Sequence, residues 1–250
     1  MTTSRKRQWP VPAGLILLSL VPVIAAFVRG AELASRPDVT PDNARFVTAP
    51  VPIVLHIVGS VLFALLGALQ FVPSLRRRRW HRYAGRLVLP SGIAVAGSGL
   101  WMTLTYALPP IEDSGLSVIR VFVSTGMLLC LVLGFVAVRR RHYATHRAWM
   151  MRAYALGLGA GTQAFTFAFW TVAVGEPGVL AYALLMLAAW LINLGVAEYF
   201  IRRNDRKPRP GAGLSEGSVP RPKAGLSESR DFSGDAGSEP QLPRSTAWTG

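Results

Sequence analysis

The stretch VPIVLHIVGSVLFALLGALQFVP, residues 51–73, runs directly into SLRRRRWHR, residues 74–82. Its first part carries no charged side chain over a length that crosses the ~30 Å hydrocarbon core of a bilayer. A helix needs ~20 such residues, because every backbone polar group must find its partner inside the segment. The arginine block marks where that helix meets a charged surface. One passage therefore sets the class: a membrane-crossing helix bounded by a basic juxtamembrane loop.

The pattern recurs at residues 11–28, 87–107, 116–138, 148–174 and 178–200, so an all-α integral membrane bundle of six transmembrane helices is expected. Composition agrees. Of 250 residues, 51% are hydrophobic and 16% charged, and the mean hydropathy of +0.34 is too apolar for a soluble domain of this length. Arg5, Lys6 and Arg7 precede the first stretch as they would in a signal peptide. However, the uncharged run from Gln8 to Val28 exceeds the ~7 to 15 residues of a signal core and ends in no small-x-small cleavage site, so a retained helix is expected. The lone cysteine, Cys130, lies inside the fourth stretch. That excludes an intrachain disulfide and a Cys-based zinc or iron–sulfur site, and leaves Cys130 a packing residue.

The net charge of +14 would suggest nucleic acid in a soluble protein, but here the charges sit between apolar runs and point to lipid. Arg76, Arg77, Arg78, Arg79, Arg82 and Arg86 follow the second stretch, Arg139, Arg140, Arg141, Arg147 and Arg152 the fourth, and Arg202, Arg203, Arg206, Lys207 and Arg209 the sixth. The alternate loops hold only Arg29, Arg36, Arg45 and Arg120, diluted by Glu32, Asp38, Asp42, Glu112, Asp113 and Glu176. Basic loops face the cytoplasm, which places both termini there and agrees only with an even number of spans. The chain then divides into an N-terminus with the first helix (1–30), an external loop (31–50), a five-helix membrane domain (51–203) and a cytoplasmic tail (204–250). The tail repeats Ala-Gly-Leu-Ser-Glu at 212–216 and 224–228 and is too poor in apolar residues to fold, so it is expected to be disordered.

Close helix approach in lipid depends on small residues. Ala153, Gly157 and Gly161 form such a stripe in the fifth span, continued at the same spacing by Phe165 and Phe169; Gly92 and Ala96, and Gly59, Gly67 and Ala68, offer further contacts. Spans two to five are expected to form a compact bundle. The first span has no such stripe and is expected at its periphery.

Ionisable and amide groups at membrane depth are candidate functional residues. His56 falls roughly 8 Å inside the outer boundary and Gln163 ~17 Å from the inner one, with Thr162, Thr166 and Trp101 at similar depth. Either these gather into a polar cluster or His56 simply bonds a neighbouring helix or the headgroup region. On the inner side stand His81, Arg82, His142, His146 and Arg152, with Gln70, Asn193 and Glu198 at span ends. If residues from 142 are helical, His142 and His146 share a face one turn apart, a spacing at which two imidazoles reach one iron. The surrounding arginines repel a bare divalent metal but suit haem propionates or lipid phosphates. The plainer reading is a basic loop on anionic headgroups, with Glu198 paired to Arg202 or to a neighbouring arginine. There is no Gly-rich phosphate loop, no His-Glu-x-x-His and no Gly-x-Ser-x-Gly, so no catalytic residue is assigned.

Three motifs fall in order: His56 through Gln70, then His81-Arg82-x-x-Gly85-Arg86, then His146-Arg147-x-Trp149-Met150-x-Arg152-x-Tyr154-Ala155. Together they resemble a family of bacterial predicted membrane proteins, domain of unknown function 2306, over roughly residues 51–203. The Gly-Ala-Gly-Thr-Gln run at 159–163 is similar to one of its subgroups. The resemblance implies a bacterial inner-membrane protein and no established activity. A looser similarity is to b-type cytochrome bundles, but His56 is the only histidine near the outer side, so at most one haem b could be held, by two of His81, His142 and His146. The leading expectation is a binding or assembly component in contact with anionic headgroups and with a membrane-protein partner or a second copy. The alternatives are a redox protein carrying one haem or a quinone near the cytoplasmic face, and a small-solute transporter, although no inverted repeat is visible.

Overall fold

The computed structural model describes residues 10–76, 79–112 and 114–205. The expected tail lies outside the described residues from 206 onward, as do Arg5, Lys6 and Arg7. The long helices are α1 (Pro10–Ala34), α2 (Pro50–Leu69), α3 (Arg79–Thr105), α4 (Ser114–Arg139), α5 (Tyr143–Gly157), α6 (Gly159–Ala173) and α7 (Val179–Asp205). Short helical turns cover Ala44–Val47, Pro73–Arg76 and Pro110–Glu112. Among the described residues five helices, α1, α2, α3, α4 and α7, are long and apolar enough to cross a membrane.

The fifth expected span is divided. Leu158, at φ −82° and ψ 1°, separates α5 from α6, each 15 residues and ~22 Å long. Glycines flank it on both sides, at positions 157 and 159, and each weakens a helix by about 1 kcal/mol relative to alanine. The Leu158 amide still reaches the Tyr154 carbonyl, but the Gly161 amide takes the Leu158 carbonyl three residues back.

Helix α2 packs on α3, α3 on α4 and α4 on α5; α7 lies against α4, α5 and α6. The central contact is Phe63 of α2, which fills the space left where Gly92 of α3 and Gly157 of α5 lack a Cβ. Beside it Tyr154 lies against Gly67 and donates its hydroxyl to the Ala64 carbonyl at 2.7 Å. Leu131, Met127 and Ala153 complete this buried layer. Large apolar side chains elsewhere face outward, Phe122 at 74% exposure and Val172 at 90%, as lipid-facing residues do. Phe165 and Phe169 belong with them, so the small-residue stripe acts as a packing face only through Ala153, Gly157 and Gly161.

The first helix is better anchored than its sequence suggests. It contacts α2 and α6, with Ser19 fully buried and Leu15, Ile16 and Leu18 packed on the core. The small residue of this contact is on the partner. Pro22 has no amide to donate to the Leu18 carbonyl four residues back, and that carbonyl lies over Gly161. A contact that begins at a helix's own proline leaves no stripe to read.

Gly161→Leu sets a side chain against the Leu18 backbone and is expected to destabilise the bundle by about 1–3 kcal/mol. The readout is the temperature at which the buried Cys130 thiol becomes reactive in detergent. Gly195→Leu, where an added Cβ meets nothing within 4 Å, should leave that temperature unchanged. Equal midpoints for the two variants would remove the α1–α6 contact from the account.

Candidate functional site

All seven long helices contribute to one cavity of about 730 Å³, at the end of the bundle where α1 stops and α2 begins. Its deep wall is apolar, formed by Ala64, Ala96, Met127, Leu156 and Trp190 among others. The volume falls in the range, about 300–1,000 Å³, that encloses one drug-sized molecule. Gly157 and Leu158 also line it, so the break in the fifth span forms part of the wall.

Polar groups enter at helical spacing, His56 and Ser60 from α2 and Arg120 and Ser124 from α4, each pair four residues apart on one face, with Thr103 from α3 beside them. The His56 ring is oriented by α3. Its Nδ1 is 3.1 Å from the Val95 carbonyl and 3.1 Å from Ser98 Oγ, whose own hydroxyl is directed to the Ala94 carbonyl. A carbonyl only accepts, so in the neutral ring the proton is on Nδ1 and Nε2 carries the lone pair. From α6, Gln163 also lines the cavity, and its Nε2 is buried with no hydrogen-bond partner. The depth argument thus brought two residues of different helices to one chamber. It did not do so for the others. Thr162 bonds Asn193, Thr166 bonds the Gln163 backbone carbonyl, and Trp101 is exposed beside Leu55 on an apolar groove between α2 and α3.

The mouth is charged. Arg120 pairs with Glu112 at 2.7 Å and Arg29 with Glu32 at 2.6 Å, while Arg29 and Arg45 each stack on Phe46, both 4.7 Å from the ring centre. Tyr106, just beyond α3, donates to the Ala49 carbonyl, and partial burial pushes its phenol up from the ordinary value. These residues went unread because they fall in loops or at span ends; the i, i+4 polar pairs were the available signal.

At the arginine-rich end the residues stand apart from the cavity. His81 is partly buried in the first turn of α3 and Arg82 is exposed. His142 is the exposed N-cap residue of α5, outside the helix proper. His146 directs Nδ1 to the Gly134 carbonyl of α4 at 2.8 Å, which leaves its Nε2 as the lone-pair nitrogen. Arg152 grips Glu198 of α7 through Nε and Nη2, at 2.5 and 3.1 Å, and stacks on Trp149. Glu198 therefore has the neighbouring-helix arginine as its partner. Among the described residues, no three His, Cys, Asp or Glu side chains gather to hold a metal ion.

Asn193 has a role its position did not suggest. It stands in α7 opposite the break, where its Nδ2 donates to the Ala155 carbonyl at 3.1 Å and its Oδ1 accepts from Thr162 at 2.7 Å. One side chain joins the two halves of the divided helix.

Buried small-residue contacts, an outward apolar surface and a single-molecule chamber define a multi-pass helical membrane protein. The chain belongs to the family of predicted membrane proteins designated DUF2306, whose profile matches residues 53–201. No curated protein and no solved structure matches the chain.

Proposed function

We propose that the protein is a binding component of a bacterial plasma membrane that holds a small amphipathic molecule in this cavity. The observation that carries the proposal is the chamber itself, built by every long helix, with His56 and Gln163 in its lining and the Gln163 Nε2 without a hydrogen-bond partner. Counting α5 and α6 as one crossing makes six spans, and the placement of the arginines puts both termini in the cytoplasm and the cavity mouth outside. The basic loops then rest on anionic headgroups, each surface arginine contributing about 1 kcal/mol.

Two experiments test this. For topology, a reporter active only outside the membrane should be silent when fused after residue 205 and active when inserted at 36–42; the reverse pattern overturns the orientation. For the cavity, Gly99→Phe is suited because an added Cβ meets His56 and Ser124 at ordinary contact, 3.4 and 3.6 Å, and the ring then fills the chamber. Native mass spectrometry of protein taken from its membrane should show a one-to-one small-molecule adduct that Gly99→Phe lacks. Identical spectra for the two would count against a resident ligand.

A second reading, one haem b or a quinone at the arginine-rich end, is favoured by His146. Its Nδ1 bond to a backbone carbonyl is the support that a metal-ligating imidazole uses, with His81 or His142 as the second ligand. A reduced-minus-oxidised visible spectrum with a Soret band lost in His146→Ala would establish haem binding. A flat spectrum after expression with ample haem would remove it.

A further inference from the structure

The polar atoms of the chamber specify the chemistry of its occupant. Because the Val95 carbonyl and Ser98 Oγ fix the proton on Nδ1, His56 presents a lone pair at Nε2 and asks for a donor. Gln163 presents a buried amide N–H at Nε2 and asks for an acceptor. A carboxylate or phosphate answers only the second and sets its negative charge against the first. A hydrocarbon answers neither, and leaving a buried polar group unmet costs about 1–3 kcal/mol. A hydroxyl is the smallest group that donates and accepts at once. At the mouth Arg29 and Arg120 are already paired with Glu32 and Glu112, while Arg45, whose Nε is buried without a partner, is the group that would draw an anion, so a carboxylate probe is the discriminating alternative.

We infer that the cavity takes an uncharged, hydroxyl-bearing amphiphile, a phenol, quinol or long-chain alcohol, with the hydroxyl between His56 and Gln163 and the apolar body along Ala64, Met127 and Trp190. The inference rests on the cavity being a ligand site, and it adds the selection rule. The residues involved are positioned before the ligand arrives, His56 by α3 and the neighbouring wall by the break at Leu158.

The test compares three probes of matched tail on the full-length protein in a nonionic detergent: 4-nonylphenol, its methyl ether 4-nonylanisole, and nonanoate. Equilibrium binding should show one saturable site for 4-nonylphenol and about tenfold weaker binding of the ether, which keeps the oxygen and loses the proton. His56→Asn is the informative variant, since the asparagine amide can replace Nδ1–H toward Val95 while removing Nε2. It should weaken 4-nonylphenol by about tenfold and leave the ether unchanged. A folding defect would lower both probes equally, and then His56→Gln, which restores a polar atom at the Nε2 position, should recover the phenol preference. Equal affinity for phenol and ether, or tighter binding of nonanoate, overturns the hydroxyl rule while leaving the cavity a ligand site. Absence of saturable binding for all three probes overturns both.

Discussion

Every backbone carbonyl at membrane depth has to find a donor within the protein, and the bundle is organised around a place, between α5 and α6, where the helix ladder does not supply it. At Leu158 the chain changes register between α5 and α6, and the Ala155 carbonyl is met instead by Asn193 Nδ2 from α7. The other end of that amide accepts from Thr162, beyond the break. A serine or leucine at position 193 could not serve both halves, so the discontinuity is tolerated only because α7 passes at that level. The contact of α7 with both α5 and α6 follows from the same requirement.

The break also explains why a chamber exists. Below it, Phe63 enters the gap between Gly92 and Gly157 and draws α2, α3 and α5 together, as small residues permit where no hydrophobic force separates helix from lipid. Above it, α6 leaves α5 and meets α1 instead, with Gly161 under the Leu18 carbonyl. Space opens between the helices that diverge, and it is lined by whichever side chains those helices present at that height. The division between α5 and α6 resembles the broken helices of transport proteins, but those occur in pairs at matching positions of two repeats, and among the described residues no second such division matches it.

Five of the six expected spans were legible in the sequence because hydrophobic length is a sum over ~20 residues and survives the loss of any one detail. Gly157 and Gly161 were legible as contact points, yet the Gly-Leu-Gly-Ala-Gly run reads equally well as a continuous packing stripe, so the break within it was hidden. Depth along the helix brought His56 and Gln163 to one level. It could not supply the partners that orient the ring, since Val95 and Ser98 are 39 and 42 residues away on another helix. Asn193 was misjudged for the same reason: its purpose is defined by a carbonyl freed in a different segment. Glu112 and Arg120 looked like isolated loop charges because their pairing joins the turn Pro110–Glu112 to α4.

The two ends of the molecule are separated by the core itself. Ala64, Ala96, Met127 and Leu156 line the chamber, and Phe63, Gly92, Leu131 and Tyr154 pack together in the buried layer beside them. Beyond that layer lie His146 on Gly134 and Arg152 on Glu198. At the arginine-rich end the ion pair ties α5 to α7, the helix that also holds α6 beyond the break. Changes at Arg152 or Glu198 would act on the site through that shared helix pair, without touching the ligand.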